Sequence, residues 1–384
     1  SPNYYYYAYD SDEGLEFSGY APRDAHFARQ WGLINIGQKL DTKYPMTPGA
    51  DMKMMKAWDA FPNIKSAARD VIVAVIDTGI NLKHIDLKEN LWSNLGESGA
   101  WSPATEAEKV AAPDCRNKGC NKIDDDGNGY IDDVNGWNWS LDSEQKPVNT
   151  NDPQDDNGHG SHVSGVIGAA HNQKGIAGIN GKVQLMGLKF LGKKGEGTLE
   201  GAVEAIVYAA KMGADVINAS WGGGESADVL LEAIRYATTE GVFFSAAAGN
   251  AALNNDYFAS YPANYDLEGL VSVAATDFND QRAFFSNYGK TRVHLAAPGH
   301  VIYSTVLGKK KYQFMSGTSM ASPHVAGLAA LVIGLNPGQF KNNPGVLKKY
   351  LMETSDRSIE LNCLVNSGGR INAYNAVAGL IPTG

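Results

Sequence analysis

The sequence has few cysteines, no long apolar run and fewer basic than acidic residues. Lys+Arg 33 against Asp+Glu 42 gives a net charge of −9, which argues against a protein that binds the phosphate backbone of nucleic acids. The apolar runs fall short of the roughly 18–20 residues that a membrane-spanning helix needs. The sequence also opens without the features of a signal peptide. We therefore expect neither a nucleic-acid nor a membrane partner.

The cysteines narrow the class of protein further. There are three of them, without the paired spacing that four zinc-binding cysteines would show. Cys115 and Cys120 are close enough for a local disulfide if the protein is secreted. The alternative is two free thiols in a loop, and Cys363 lies far from both.

Continuous β-branched and apolar runs alternate with helical stretches along most of the chain. The runs cover residues 71–76, 183–191, 215–219, 242–246, 270–275 and 293–296. Such runs are typical of strands buried on both faces. The alternation predicts an α/β fold, doubly wound, with a mostly parallel central sheet and helices on both faces. We expect one catalytic domain over residues 21–384, preceded by an N-terminal arm at 1–20.

Three polar residues flanked by glycine lie where strands are expected to end and helices to begin, the place where open α/β sheets bind ligands. Asp77 follows the run at 71–76. Alone it is typical of a turn, and its single Asp-Thr-Gly argues against an aspartic protease, which needs two such loops. His159 opens a helical stretch and has the imidazole of a general base. Ser319 precedes a helix, with Pro323 expected in its first turn, so its hydroxyl would lie beside N–H groups that favour an oxyanion.

The stretches around these residues resemble the motifs of the subtilisin-like serine proteases. They read Asp77-Thr78-Gly79, His159-Gly160-Ser161-His162-Val163 and Gly317-Thr318-Ser319-Met320-Ala321. The order Asp, His, Ser is also that of the family, and the resemblance covers about residues 21–380. It implies a serine endopeptidase in which Ser319 is the nucleophile, His159 the base and Asp77 the residue that orients the imidazole. Asn250 matches the side chain that stabilises the oxyanion.

The resemblance also implies how substrate binds, as an extended peptide that pairs with backbone segments of the enzyme. The residues expected to bind substrate are Ser220, Trp221, Gly222, Gly195, Gly197, Ala248, Gly249 and Ser260. Their small side chains predict a roomy S1 pocket. Glu225 stands where relatives that cleave after basic residues carry an acid; the alternative is a solvated loop carboxylate. Asp155 and Asp156, just before the histidine motif, are further candidates for selecting a basic residue on the P2 side.

An acidic insertion at about residues 114–156 holds most of the excess charge. It contains eleven acidic and four basic residues, a local net charge of −7. Asp124, Asp126, Asn128, Tyr130 and Asp132 occupy positions 1, 3, 5, 7 and 9 of a calcium loop of EF-hand type. Position 12 lacks its glutamate, so Asp133 or another segment would have to complete the shell. A disordered acidic loop is the alternative, and it would not explain the regular spacing.

A second calcium site follows from the family resemblance alone. The ligands implied are the side chains of Asp24, Asp86 and Asn172 and the carbonyls of Ala170, Lys174 and Ile176. We thus expect two or more Ca²⁺ ions, in a secreted, monomeric enzyme found in mature form after removal of signal and pro-segment. Two alternative hypotheses for the function are an inactive relative that serves as a scaffold and a serine esterase. The esterase would require Gly-x-Ser-x-Gly, which Ser319 lacks.

Overall fold

The computed structural model describes residues 20–40 and 45–380. The expected arm at 1–20 lies outside this part of the chain except for Tyr20. The strands are β1 Ile72–Asp77, β2 Gly136–Asn138, β3 Gln184–Lys189, β4 Val216–Ala219, β5 Phe243–Ala247, β6 Leu270–Thr276, β7 Leu295–Pro298, β8 Ile302–Thr305, β9 Tyr312–Met315, β10 Asp356–Arg357 and β11 Gly369–Arg370. The helices are α1 Met54–Ala60, α2 Glu106–Ala111, α3 His159–Gly168, α4 Leu199–Lys211, α5 Asp228–Thr239, α6 Thr318–Leu335, α7 Pro337–Phe340, α8 Pro344–Glu353 and α9 Ala373–Ala378.

Nine of these strands form one sheet in the order β10-β11-β7-β6-β5-β4-β1-β3-β2. Neighbouring strands run parallel, except for the antiparallel pair β10–β11 at one edge. The chain moves from β1 to one edge at β2, returns through β3, and then crosses β1 to continue with β4 on its other side. The predicted mostly parallel α/β sheet is confirmed. Its reversal of strand order near β1 creates the crevice where such sheets bind ligands.

Alternating side chains of each central strand supply two hydrophobic cores. In β1, Val73 and Val75 pack on one face with helices α3 and α6, whereas Ala74 and Ile76 pack on the other with α4 and α5. Both faces are therefore dry, which explains the continuous apolar runs in the sequence. The helices that begin with the histidine and serine motifs lie on the same face and pack against each other.

Helix α6 is apolar all round, because it lies in the middle of the larger core. It has 18 residues with a mean hydropathy of 1.4 and is 83% buried. By length and composition it qualifies as a membrane span, so the expectation that no apolar run reaches that length was wrong. Its burial inside the fold is typical of a core helix.

The acidic insertion forms a surface lobe next to the β2 edge. Cys115 and Cys120 are joined by a disulfide there, with their Cα atoms 5.6 Å apart, while Cys363 is an exposed free thiol. Helix α2 lies just before the insertion and begins with a capping box formed by Thr105 and Glu108.

Candidate active site

The proposed site lies at the carboxyl ends of β1, β4 and β5, as the strand-end positions in the sequence predicted. Asp77 is the last residue of β1, and His159 is the first residue of α3. Gly158 before it has a φ of 108°, a left-handed conformation that glycine adopts without a steric penalty. This turn brings the helix start back over the end of β1.

The structure joins His159 to Asp77 directly. The imidazole Nδ1 lies 2.7 Å from Asp77 Oδ1, and the aspartate side chain is fully buried while that of histidine is 27% exposed. A carboxylate only accepts, so Nδ1 carries the proton and Nε2 keeps its lone pair. Burial by itself lowers the pKa of His159, but the Asp77 charge and hydrogen bond, with Asp155 farther off, outweigh it and leave the pKa above its ordinary value.

Ser319 is the second residue of α6. The helix begins at Thr318, so Pro323 lies in the second turn and the expectation of a first-turn proline was wrong. Because proline has no N–H, it cannot donate the usual helical bond to the Ser319 carbonyl. That oxygen accepts the hydroxyl of Ser220 at 2.8 Å instead. The proline thus frees a backbone oxygen that ties the end of β4 to the candidate nucleophile.

A buried polar network extends behind this contact. Asn218 donates to Ser220 Oγ at 2.9 Å and accepts the Ser322 hydroxyl at 3.0 Å, and Ser322 pairs with Ser245 at 2.9 Å. All four residues are at most 2% exposed. The network fixes β4, β5 and the first turns of α6 relative to one another, since unpaired buried polar groups would cost stability.

Asn250 has its amide oriented by the same helix start. Its Oδ1 accepts from the Thr318 N–H at 2.8 Å and from the Thr318 hydroxyl at 3.0 Å. Because these bonds occupy the amide oxygen, the NH₂ group of Asn250 faces Gly317 and Ser319. A Cβ atom added to Gly317 would lie within 3.7 Å of both Asn250 Nδ2 and Ser319 Cβ. This donor can serve an oxyanion formed at Ser319.

The structure places several of the residues expected to bind substrate close to one another. Ala248 is buried, and the hydroxyl of Ser260 lies between Gly249 and Gly222, 3.3 and 3.8 Å from where their Cβ atoms would be. Gly195 and Gly197 are exposed on the loop before α4. Trp221 packs edge-on against Phe190 at 4.8 Å. The S1 pocket at these small side chains stays a prediction.

The charged specificity candidates differ in their surroundings. Glu225 is exposed in the loop before α5 and makes no ion pair within the described part of the chain. Asp155 is buried, and its carboxylate accepts from Thr78, Asn157, Gly158 and Ser161. Asp156 pairs with Lys189 at 2.7 Å. Selection of a basic P2 residue by Asp155 or Asp156 stays a prediction: both carboxylates have internal partners, and the Asp156 side chain is 51% exposed.

The acidic loop brings part of the predicted ligand set together and adds one residue. Carboxylate oxygens of Glu97, Asp124 and Asp126 lie within 4.8 Å of one another. Glu97 is fully buried; its Oε1 accepts the N–H groups of Asp125 and Asp126, and its Oε2 has no partner among the described residues. Such an orphaned buried oxygen fits a cation. Sequence spacing missed Glu97, which precedes the loop by a long connection.

The remaining loop residues have other neighbours. Asn128 accepts the Tyr130 N–H and donates to Asp126 and Asp133, and Tyr130 donates its hydroxyl to Glu204. Asp132 departs from the prediction. It adopts a φ of 55°, and both of its carboxylate oxygens accept the backbone N–H of Lys122. The left-handed turn directs this side chain toward the start of the loop instead of toward the group containing Glu97.

The second set of expected calcium ligands also converges. Asp24 accepts the N–H of Asn172 at 3.0 Å, and the Asn172 amide lies 3.3 Å from Asp86 Oδ1. Backbone N–H groups of the loop from Ala170 to Ile176 also donate to these residues. Ile176 donates to Asp86 Oδ2 and Ala170 to the Asp86 carbonyl. Lys174 donates to the Asn172 side chain. Asp24 Oδ2 is buried without a partner in the described chain. Burial and the nearby Asp86 charge raise the pKa of Asp24 to about 7. A cation would neutralise this unfavourable pair of acids.

Comparison with known proteins agrees with this geometry. A sequence model described as "Subtilase family" matches residues 68–373. The chain is 43% identical over 230 residues to a thermophilic serine proteinase of Bacillus sp. (strain AK1), an alignment covering 60% of this chain and 54% of that protein. It is 40% identical over 230 residues to thermitase of Thermoactinomyces vulgaris, covering 60% and 78%.

Among solved structures, a protease from Pseudoalteromonas arctica PAMC 21717 superposes with a TM-score of 0.70 at 25% identity, over 94% of this chain and 99% of that one. The chain spans about half the length of several curated relatives that it matches. The family model covers well over half of this chain and includes all three motif residues. On the combined evidence of motifs, fold and these matches, the chain belongs to the subtilase family.

Proposed function

We propose that this chain is a calcium-stabilised serine endopeptidase that cleaves peptide bonds of proteins through Asp77, His159 and Ser319. The observation that carries the proposal is the 2.7 Å bond between His159 and a fully buried Asp77, at the start of helix α3, which packs against the helix that bears Ser319. A buried acceptor on Nδ1 leaves Nε2 as the basic atom, the state that a general base requires.

The reaction divides into two steps of the same kind. The Ser319 hydroxyl oxygen attacks the substrate carbonyl and its proton passes to His159 Nε2; the resulting imidazolium is stabilised by Asp77 and then protonates the leaving amine. A water molecule next attacks the acyl-Ser319 ester, again giving its proton to His159, which returns it to the Ser319 oxygen. In both tetrahedral intermediates the oxyanion accepts from Asn250 Nδ2 and from the backbone N–H of Ser319.

We expect the substrate to lie as an extended strand between two segments, Ser220–Gly222 and Gly195–Gly197. Main-chain pairing of this kind gives affinity without selecting particular side chains. The S1 space bordered by Ala248, Gly249 and Ser260 favours large apolar or varied side chains. Because Glu225 is exposed and has no ion pair among the described residues, it is a candidate to attract a basic P1 residue. A peptide-library cleavage profile decides between these preferences.

Calcium is the cofactor that the acidic residues support. The residues that would hold it in the insertion are Glu97, Asp124 and Asp126, with Asn128 and the Tyr130 carbonyl as further oxygens. The other site would use Asp24, Asp86 and Asn172 together with carbonyls of the loop from Ala170 to Ile176. Bound there, Ca²⁺ would neutralise clustered carboxylates and fix loops that otherwise carry like charges.

The setting proposed for the enzyme is extracellular and monomeric, with one catalytic domain over residues 21–384. The Cys115–Cys120 disulfide supports it, because such bonds persist in oxidising compartments. A role as an inactive scaffold is less well supported, since a scaffold would have no need for the hydrogen bond between His159 and Asp77.

Activity on casein, followed before and after treatment with a serine-directed phosphonylating reagent, tests the proposal. We expect cleavage to stop as Ser319 becomes labelled, and Ser319→Ala to show neither cleavage nor label. An intact, folded protein without activity and without label on Ser319 would favour the scaffold.

A further inference from the structure

The β3 strand ends in a buried lysine that the catalytic scheme above does not use. Lys189 is 4% exposed and stands opposite Asp77 in the register of β1 and β3. Its Nζ lies 2.8 Å from the Thr78 carbonyl, 2.9 Å from the Leu191 carbonyl and 2.7 Å from Asp156 Oδ1. An ammonium group has three protons, so every one of them has an acceptor.

Two of these acceptors belong to the loops that hold the catalytic pair, and the third, the Leu191 carbonyl, belongs to the segment that follows β3. Thr78 directly follows Asp77, and Asp156 lies in the turn that leads into His159. A hydroxyl group also joins these loops, because the Thr78 hydroxyl donates to Asp155 at 2.9 Å and accepts the Gly160 N–H at 2.9 Å. Lys189, at the end of the neighbouring strand β3, adds a charged contact to both loops. The Thr78 hydroxyl and the Lys189 ammonium group together fix the distance between the Asp77 loop and the His159 loop.

Withdrawing an ammonium group from water is unfavourable, and a buried ion pair often contributes little net stability. An apolar side chain of similar size would fill the same space at the end of β3. The placement of this cation under the catalytic loops therefore calls for a role besides packing. Because each proton of the Lys189 ammonium group has an acceptor, the side chain holds the two backbone carbonyls and the Asp156 carboxylate at fixed positions.

We propose that Lys189 is a positioning residue for the Asp77–His159 pair, acting through its bonds to the Thr78 carbonyl and Asp156. The inference rests on the proposed peptidase function. Lys189 and Asp156 carry opposite charges and lie against the turn that leads into His159. Among the described residues, the titratable groups that act on the His159 imidazole are Asp77 from β1, Asp155 from the preceding turn and His162 from α3.

Lys189→Met and Asp156→Asn distinguish a positioning role from simple structural support. The two substitutions are expected to shift the pKa of His159 in opposite directions, whereas a loss of structural support would only lower stability. Lys189→Met removes a cation and leaves Asp156 unpaired, so the imidazolium of His159 is favoured and its pKa rises. Asp156→Asn removes the anion and retains the cation, so the same pKa falls. Lys189→Arg keeps the charge and is expected to hold the pKa close to that of the parent chain.

The experiment follows His159 by NMR in the full chain, through its pH titration and the low-field proton shared between Nδ1 and Asp77. It also measures kcat and KM on a peptide substrate. We expect Lys189→Met to lower kcat by about ten- to a hundred-fold, the size known for small misplacements of catalytic groups, with KM nearly unchanged. Lys182→Met is the matched control. Lys182 precedes β3, and its side chain forms a half-exposed pair with Glu89 at 3.7 Å.

Unchanged His159 titration and low-field proton in both Lys189→Met and Asp156→Asn, with only the melting temperature altered, would overturn the positioning role. Asp156→Asn removes the half-exposed partner, so it provides a readout even if Lys189→Met fails to fold. Labelling of Ser319 in the parent chain is scored separately. Absence of label would overturn the peptidase function, while the NMR titrations would still decide whether Lys189 positions His159.

Discussion

Replacing Glu97 with glutamine tests whether the acidic loop holds calcium. Glu97→Gln keeps the side-chain size and the oxygen that accepts from Asp125 and Asp126. It removes one negative charge from a group whose oxygens lie within 4.8 Å of one another. Without a cation these charges repel each other, whereas with one they are its ligands. The variant is therefore expected to lose stability in calcium and none in EDTA.

The magnitude follows from ligand linkage. At a free calcium concentration of about a hundred times Kd, one ion stabilises the folded state by about 2.7 kcal/mol. Changes in a metal shell weaken binding by about 10–100-fold. At the upper limit the ion would contribute only about 0.4 kcal/mol. The difference of about 2.3 kcal/mol corresponds to a fall in melting temperature of about 3 °C for a chain of this size.

Scanning calorimetry in excess calcium and in EDTA measures both effects. Glu204→Gln is the control, because Glu204 is exposed beside the loop and accepts the Tyr130 hydroxyl at 3.0 Å without belonging to the carboxylate group. An equal loss of stability in the two buffers would refute the reasoning, since a lost hydrogen bond acts whether or not an ion is bound. Parent protein that contains no calcium by elemental analysis would refute it as well.

Three further predictions concern the catalytic pair, the oxyanion and the carboxyl-terminal strands. Asp77→Asn lowers the pKa of His159, which Asp77 now raises. Since only neutral imidazole accepts the serine proton, the acidic limb of kcat/KM moves to lower pH. The same substitution lowers kcat about 10⁴-fold, the size known for the aspartate of a serine-protease triad. An unmoved limb would contradict this. Asn250→Leu lowers kcat about 10²–10³-fold with little change in KM, the size measured for such a donor in this family, and an unaltered kcat would exclude its role. Arg370→Met lowers the free energy of unfolding by about 3 kcal/mol in urea titration, at the low end for a broken buried pair, because Asp280 and Asp356 keep about a third of their exposure. The exposed pair of Arg235 with Glu232 is the control, and Arg235→Met costs at most about 1 kcal/mol.

The parts predictable from the sequence are those specified by short stretches. The β-branched runs predicted the parallel sheet because strands buried on both faces need apolar residues at every position. Asp77, His159 and Ser319 were identifiable because strand ends and helix starts place their side chains at one edge of such a sheet. The short β8–β9 hairpin and the edge strands β2, β10 and β11 have no such run, and they were not foreseen.

Tertiary structure decided which polar groups have partners. Glu97 joins Asp124 and Asp126, Asp132 turns away to Lys122, and Asp156 pairs with Lys189. None of these outcomes follows from spacing, because the partners lie on different segments and the charge of a carboxylate is the same whether it is solvated, paired or coordinated. The sequence by itself determined the chemistry that the chain can carry and the sheet that displays it. Only burial and packing determined which charges remain free to act on substrate or cation.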